Sequence, residues 1–464
     1  MSDDPRPEPS RLHMPESPPA APPAGRAPRR PPLSRRKFLG VAGGVAGAAA
    51  AAGGAWATLV RDSVDGAAGR AATTTTTSLA ATTTSSLAPA GGVPYGDRVL
   101  VILEMAGGND ALNTLVPSDG RYRDRRPQLA IPEGDLIALP GTDFALHPSL
   151  APLARYWEDD TMAAVAGAGM PEQSRSHFKA MDTWWSAVPG ASSQTGWLGR
   201  WLDATLEGEN DPLRAIALGG GSRALVGMDT IATVVRSPST FSLRTLDPAD
   251  NDALVAAFLA TAEPLSAVPE VASAQYAIPS TLSAVELLAS VSGGSEDDFT
   301  AALNDGNTAT SLLQTAAGII DLGIGTRVIT VGISGFDTHA NQAPAHANLL
   351  ADIGNGLAEF FDRLAVDGNA DKVMVVTTSE FGRRIAENGS AGTDHGQGGS
   401  QFLIGPGVSG HQIVGGYDLD NPDQGDLPTV IDTRSLYSVA LDWLGGPTDD
   451  LLGGQHDRLG LLKA

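Results

Sequence analysis

Apolar runs of strand length that end in polar, glycine-containing loops constrain the fold of this chain more than any other feature. VLVILEM begins at Val99 and leads into AGGND, VITVGIS begins at Val328 and leads into GFDTH, and VMVVTT begins at Val373 and leads into SEFG. Continuous apolar strands are typical of parallel sheets whose two faces are both covered by helices. The sequence therefore predicts an α/β fold.

The second and third of these runs are followed by the most polar loops of the chain. In open α/β sheets, ligands bind at the carboxyl ends of the strands. If the two runs are neighbouring parallel strands, their loop residues converge and form an active site. The residues concerned are Asp337, His339, Glu380, Arg383, Asp394 and His395.

A metal ion is the ligand that these residue types favour. Asp337 and His339 are two residues apart, so in an extended segment both side chains point to the same side. Carboxylate and imidazole together suit zinc, manganese or iron, and calcium is a further candidate. Asp110, which follows the first strand, is either another metal ligand or an ordinary helix cap.

A fourth segment, SRSH, offers groups that act on an anion. Ser174, Arg175, Ser176 and His177 lie at the start of a helical pattern that follows a buried apolar run. The N–H groups and the dipole at a helix N-terminus favour anions. A serine here is a candidate nucleophile or phosphate contact, and Arg175 a candidate clamp for the same group. The alternative is that the serine caps the helix and His177 is a surface residue.

Charge and cysteine content exclude several classes of protein. The chain has 53 acidic and 31 basic residues, a formal net charge of −22, and no cysteine. Because residues 1–61 are net basic, the remainder is strongly acidic, which argues against nucleic acid and anionic lipid as partners. The absence of cysteine excludes disulfides, thiolate metal sites and cysteine nucleophiles.

The first 95 residues read as a targeting region and a linker. Residues 1–61 combine a Pro-, Ala- and Arg-rich segment, predicted to be disordered, with a twin-arginine signal peptide, SRRKFL followed by a Gly/Ala run. Residues 62–95 are a Thr/Ser/Ala-rich flexible linker, and residues 96–464 the folded domain. We expect export by the twin-arginine machinery to an extracellular, periplasmic or cell-surface location. The membrane is a partner only through the signal segment, if it stays uncleaved.

Six motifs occur together in this chain: the twin-arginine signal, LEMAGGNDALNTLVP, SRSHF, GFDTHANQ, SEFGRR and GTDHG. In this order they resemble a large family of exported bacterial proteins of unknown function that is assigned to the alkaline phosphatase/sulfatase superfamily. The resemblance covers roughly residues 96–460. It implies a three-layer α/β/α domain with a mostly parallel, alkaline-phosphatase-like sheet.

The resemblance also implies a metal centre with a serine or threonine nucleophile. Asp110, or alternatively Glu104, matches the strand-end metal ligand of that superfamily. Ser176, or alternatively Ser174, matches the nucleophile at a helix N-terminus.

The later motifs supply the other implied ligands, with one departure from the pattern. Asp337 and His339 resemble the Asp/His pair of one metal, and His395, together with Asp394, resembles a late histidine ligand. The phosphatases have an Asp-His pair after the strand that corresponds to VMVVTT, where this chain has Glu380 and Phe381. Glu380 can replace the Asp but phenylalanine cannot bind a metal, so a one-metal or altered site is the expectation.

These observations lead to one main functional hypothesis and one alternative. The main hypothesis is an exported metal-dependent hydrolase of phosphate or sulfate esters, acting on a small anionic ester or a polysaccharide-type substrate. Ser176 would attack, and Arg175 or Arg383 would neutralise the transferred group. Arg383 is equally compatible with a buried ion pair to Glu380. The alternative is a non-catalytic secreted or surface binding protein that retains the fold.

Overall fold

A computed structural model gives the architecture of most of the C-terminal part of the chain. It describes residues 93–208, 210–236, 250–268, parts of 271–286, and 307–463. The signal peptide predicted in 1–61 and almost all of the linker predicted in 62–95 lie outside the described residues. Within the described part, no helix is long and apolar enough to cross a membrane.

Twelve strands are present in the described residues, and nine of them form one mixed sheet. In chain order they are β1 (Val99–Ala106), β2 (Leu115–Pro117), β3 (Ile137–Ala138), β4 (Phe144–Leu146), β5 (Met162–Gly169), β6 (Ala215–Leu218), β7 (Thr233–Val235), β8 (Val328–Ser334), β9 (Val373–Thr378), β10 (Gly399–Ile404), β11 (Gln412–Gly415) and β12 (Ile431–Asp432). The large sheet has the order β11-β5-β10-β9-β1-β8-β6-β7, with β12 also paired to β5, and β2, β4 and β3 form a small second sheet.

Strand β1 lies at the centre of the large sheet. It pairs in parallel with β8 on one side and with β9 on the other, so that Glu104 lies opposite Gly332 and Thr378. The idea that β8 and β9 are direct neighbours is therefore wrong, because β1 separates them. Their loops still meet, since three parallel strands end at the same edge of the sheet.

Ten α-helices have both ends within the described residues, and further helical residues lie in the partly described stretch 271–286. The ten are α1 (Ala111–Thr114), α2 (Gly120–Arg125), α3 (Ala154–Glu158), α4 (His177–Ser186), α5 (Trp197–Ala204), α6 (Asn251–Ala260), α7 (Ala309–Asp321), α8 (Gln342–Val366), α9 (Thr433–Leu444) and α10 (Thr448–Leu451). Among them, α8 lies between the two polar loops that follow β8 and β9.

Helices cover both faces of the large sheet. Val101 and Leu103 of β1 belong to a core cluster that includes residues of α7 and α8. Leu100 and Ile102 belong to a cluster on the opposite face that includes residues of α5 and α9. Alternate residues of a strand face opposite sides of a sheet. Because helices cover both sides, β1 is apolar along almost its whole length. The predicted three-layer α/β/α architecture with a mostly parallel sheet is confirmed.

Candidate metal centre

Three segments that follow strands of the sheet bring histidines and an aspartate together. His177 begins α4, Asp337 follows β8, and His395 lies between β9 and β10. Each offers one ligand atom, and these atoms all lie within 4.8 Å of one another. The cluster joins two loops that the sequence singled out with the helix start that follows β5.

His339 completes this cluster. Its Nε2 lies 2.9 Å from Asp337 Oδ1 and 2.9 Å from Nε2 of His395. The His395 Nε2 atom is itself 3.0 Å from Asp337 Oδ1, and the His177 Nε2 atom is 3.5 Å from Asp337 Oδ2. Three imidazoles therefore direct their Nε2 atoms at one carboxylate.

Each imidazole also has an oxygen acceptor at Nδ1. Nδ1 of His395 lies 2.8 Å from the carbonyl oxygen of Arg175, which can only accept a hydrogen bond. Nδ1 of His177 lies 2.8 Å from Glu380 Oε1, and Nδ1 of His339 lies 3.3 Å from Asp394 Oδ1. A neutral imidazole that donates from Nδ1 has a lone pair at Nε2, which is the atom that each of these rings directs at Asp337.

This arrangement fits a bound cation. Two Nε2 lone pairs, from His339 and His395, face each other and the Asp337 carboxylate, and without a proton or a cation between them they repel. The third, that of His177, is buried and has no hydrogen-bond partner. Imidazoles whose other nitrogen donates to a carboxylate or carbonyl oxygen are typical of metal ligands.

Asp337 is held as a carboxylate although part of it is buried. Burial acts to raise its pKa, but the hydrogen bond from Arg383 and the positive charge of Arg383 lower the pKa to about 2. Asp337 is therefore ionised at neutral pH and is available as an oxygen ligand.

Arg383 connects the loops around the cluster. Its side chain is fully buried and donates to Asp337 Oδ1 at 2.8 Å. Its remaining N–H groups donate to the backbone carbonyl oxygens of Gly107, Gly108, Phe336 and Thr393. The ion pair considered from the sequence, with Glu380, is thus replaced by one with Asp337.

Glu380 orients His177. It is only 2% exposed and accepts hydrogen bonds from the N–H groups of Gly107 at 2.9 Å and Gly108 at 3.2 Å, in addition to that from His177. Gly107 and Gly108 have φ angles of 122° and 77°, and a Cβ atom on Gly108 would collide with the ring of Phe381. The double glycine after β1 thus allows two N–H groups to reach one carboxylate. We assign Glu380 to this orienting role rather than to metal binding.

Phe381 is the residue that departed from the expected histidine. It is fully buried, and its ring packs against the imidazoles of His177 and His395, with ring centroids 4.9 and 4.7 Å apart. Phe381 therefore packs against two of the three imidazoles. The third imidazole nitrogen of the cluster comes instead from His177, which the sequence placed with the catalytic group.

Asp110 is not brought to the cluster. Its Oδ2 lies 2.5 Å from Arg126 Nη1, both side chains are fully buried, and Gln342 Nε2 donates to the same oxygen at 2.5 Å. Burial acts to raise the pKa of Asp110, but the charge and hydrogen bond of Arg126 lower it. The structure gives this aspartate a buried ion pair, which sequence reasoning missed because Arg126 lies in an unremarkable polar stretch.

The serines lie beside the cluster. Ser176 is exposed at the N-cap of α4 and its side chain makes no capping hydrogen bond, whereas Ser174 Oγ accepts from the Ser176 N–H at 3.2 Å. In the sequence, Ser176 stands between Arg175, whose carbonyl oxygen contacts His395, and His177. Arg175 is anchored, since its Nε and Nη2 lie 2.8 and 2.5 Å from the buried Asp426.

Asp394 contacts the cluster through His339 rather than directly. It is exposed, and a hydrogen bond from Asn388, together with His339, lowers its pKa below the usual range. Asp394 therefore orients His339, as Glu380 orients His177.

Comparison with known proteins finds solved structures of low sequence identity and one matching family. No curated protein matches this chain. Among solved structures, it is similar to the lipoteichoic acid synthase LtaP from Listeria monocytogenes (9% identity, 79% of this chain and 76% of that chain covered, TM-score 0.37). It is similar also to a protein in the alkaline phosphatase superfamily from Vibrio parahaemolyticus (8% identity, 76% and 68% covered, TM-score 0.38).

A third similar structure is the alkaline phosphatase from the Antarctic bacterium TAB5 (9% identity, 68% and 94% covered, TM-score 0.27). All these TM-scores are below 0.5, and the chemistry of the site has to be inferred from its own side chains. Residues 126–458 match the family described as "Protein of unknown function (DUF1501)", and the chain belongs to that family.

Proposed function

We propose that this chain is an exported metal-dependent hydrolase of phosphate or sulfate esters. The observation that carries the proposal is the cluster of three Nε2 lone pairs around the Asp337 carboxylate. Each of the three imidazoles is fixed by an acceptor at Nδ1, and one has a buried nitrogen with no partner. Such preorganisation is typical of a binding site for a divalent transition metal.

The four side chains that would hold the ion are His177, Asp337, His339 and His395. Three imidazoles and one carboxylate suit zinc, manganese or iron. Calcium, which takes oxygen ligands, fits this set poorly. When bound, the ion would supply the positive charge that polarises a phosphoryl or sulfuryl oxygen.

Ser176 is the side chain that we propose as nucleophile. Its hydroxyl group is exposed, does not cap α4, and follows directly in sequence the residue whose carbonyl oxygen binds His395. The first N–H groups of α4 lie beside it and favour an anion. Arg175 and Arg383 would act by holding Asp426 and Asp337, not by clamping the ester.

Metal content and ester hydrolysis test the proposal together. We expect purified protein, expressed with zinc and manganese supplied, to contain about one metal ion and to hydrolyse p-nitrophenyl phosphate or sulfate. His177→Gln should lose most of the metal and the activity, whereas the matched change His456→Gln, at a histidine bonded to the Leu452 carbonyl oxygen, should keep both. Metal-free wild-type protein, or equal metal content in the two variants, would refute the metal centre.

The role of Ser176 has a separate test. Ser176→Ala should retain the metal and lose hydrolysis. Unchanged hydrolysis would remove Ser176 from the nucleophile role without affecting the metal centre. Metal-loaded wild-type protein that turns over neither ester would favour the alternative, a non-catalytic binding protein.

Export is proposed from the sequence of residues 34–39. Replacing both Arg35 and Arg36 by lysine should leave the full-length chain inside the cell, because the twin-arginine motif is read by its export machinery. Normal export of that double variant would contradict this part of the proposal.

A further inference from the structure

A small pocket behind Glu380 contains a second acidic side chain that the proposed function does not use. Glu104, near the carboxyl end of β1, is half-buried and lines this pocket together with Glu380. The space, about 20 Å³, accommodates one water molecule. Most of the other lining side chains are aromatic or contain sulfur: Met105, Met181, Trp184, Trp185, Trp197 and Tyr437. Little water therefore screens the two carboxyl groups from each other.

The two carboxyl groups have different hydrogen-bond donors. Glu380 accepts from three N–H groups, which are spread over both of its oxygens. Glu104 accepts from the Ser222 hydroxyl at 2.6 Å and from Trp185 Nε1 at 3.2 Å, and both donate to Oε1. Because hydrogen bonds to the ionised form favour it, Glu380 is the better stabilised carboxylate.

One proton is therefore expected on Glu104. Burial disfavours the ionised form of a carboxyl group, and a neighbouring carboxylate disfavours it further. Burial raises the pKa of Glu104, the hydrogen bonds from Ser222 and Trp185 lower it, and the charge of Glu380 raises it, to about 7. The other titratable group that faces the pocket, Tyr437, is neutral because burial raises its pKa well above the usual value.

We propose that Glu104 is a positioning residue of the metal centre. Because Glu104 is protonated and neutral, Glu380 carries the only negative charge in the pocket. Glu380 then holds the His177 imidazole toward Asp337. The inference rests on the proposed function, because Glu104 acts through His177. Once ionised, Glu104 repels Glu380 from its donors and adds negative potential behind a centre that receives an anionic ester. Both effects lower kcat/KM.

The pH dependence of kcat/KM for p-nitrophenyl phosphate tests this role. For the metal-loaded wild type we expect a fall above pH about 7, by up to about tenfold per pH unit. Glu104→Gln, which mimics the protonated group, should remove this fall. Ser222→Ala should move this fall to higher pH. The hydrogen bond from Ser222 lowers the pKa of Glu104, so its removal raises that pKa. The exposed Glu133→Gln serves as control and should keep the wild-type profile.

A fall that persists in Glu104→Gln, or that moves to lower pH in Ser222→Ala, would overturn the inference. Infrared spectroscopy tests the role of Glu104 separately from the proposed function, because the infrared measurement needs no turnover. The wild type at pH 6 should show a protonated carboxyl band that is lost above about pH 7 and is missing from Glu104→Gln. Absence of the band in active enzyme refutes only the role of Glu104, whereas its presence in protein that hydrolyses no ester refutes only the proposed function.

Discussion

The buried ion pair between Asp110 and Arg126 separates a structural aspartate from a metal ligand. Both side chains are fully buried, and their closest atoms are 2.5 Å apart. Asp110→Asn keeps the shape of the side chain but removes its charge, which leaves the guanidinium of Arg126 buried without a counter-ion. Removing one partner of a buried pair costs about 3–5 kcal/mol of the free energy of unfolding. Arg126 keeps three other acceptors, namely the carbonyl oxygens of Arg384 and Ile385 and Asn113 Oδ1, so the lower end of that range is expected.

Urea denaturation at pH 7, with metal analysis of the same samples, measures both properties. We expect Asp110→Asn to lose about 3 kcal/mol of stability and to keep its metal content. The exposed pair Arg155–Asp362 is the matched control, and Asp362→Asn should change stability by less than about 1 kcal/mol. A second change, Arg126→Met in the Asp110→Asn background, should recover part of the loss because no charge stays buried.

One outcome would refute this reasoning. If Asp110→Asn lost the metal while its stability stayed within about 1 kcal/mol of the wild type, Asp110 would be a ligand and the ion pair would contribute little.

Three further predictions follow from individual contacts. Gly108→Ala should lose more than about 1 kcal/mol in thermal unfolding, because its φ is 77° and the new Cβ would meet Phe381, whereas Gly120→Ala, in open space, should not. Arg383→Lys should lower metal affinity, since an ammonium group cannot replace the planar donor fork; unchanged affinity would contradict this. Folding raises the pKa of Glu104 from 4.5 to about 7, so relative to Glu104→Gln the wild type should lose up to about 3 kcal/mol as pH rises from 4.5 through 7. Parallel curves of the two proteins would disprove that shift.

The sequence predicted the layers of the fold well because they depend on local patterns. The run from Val99 is apolar on both faces, and in the structure its alternate residues enter two different core clusters. Helices α8 and α9 also have apolar residues at helical spacing, which is a local pattern of the same kind. The order of strands was not, since nothing in the runs beginning at Val328 and Val373 indicates that β1 inserts between them.

The candidate site was predicted only in part because it is assembled from distant segments. Asp337, His339 and His395 were recognised from their own loops. His177 is 160 residues before Asp337 in the chain, and only the fold shows that its Nε2 faces that carboxylate. The signal that could have found it is the histidine directly after the N-cap of a helix that follows a buried strand. Phe381 stands where a histidine was expected, and its presence gives no indication that His177, from another segment, contributes the imidazole.

The charge distribution around the cluster makes metal and anion binding depend on each other. Arg383 and Arg175 are both paired with carboxylates, and Asp337 stays ionised because its pKa is about 2. Without a cation, an anionic ester would meet carboxylate oxygens and nitrogen lone pairs. Phosphate, the product of phosphate-ester hydrolysis, should therefore raise the affinity for zinc, and zinc the affinity for phosphate by the same factor. Calorimetric titration of each ligand in the presence and absence of the other measures both factors, with Asp337→Asn as the variant that should lose zinc binding. Zinc affinity that is the same with and without saturating phosphate would show that the anion binds elsewhere, and would separate the metal centre from ester hydrolysis.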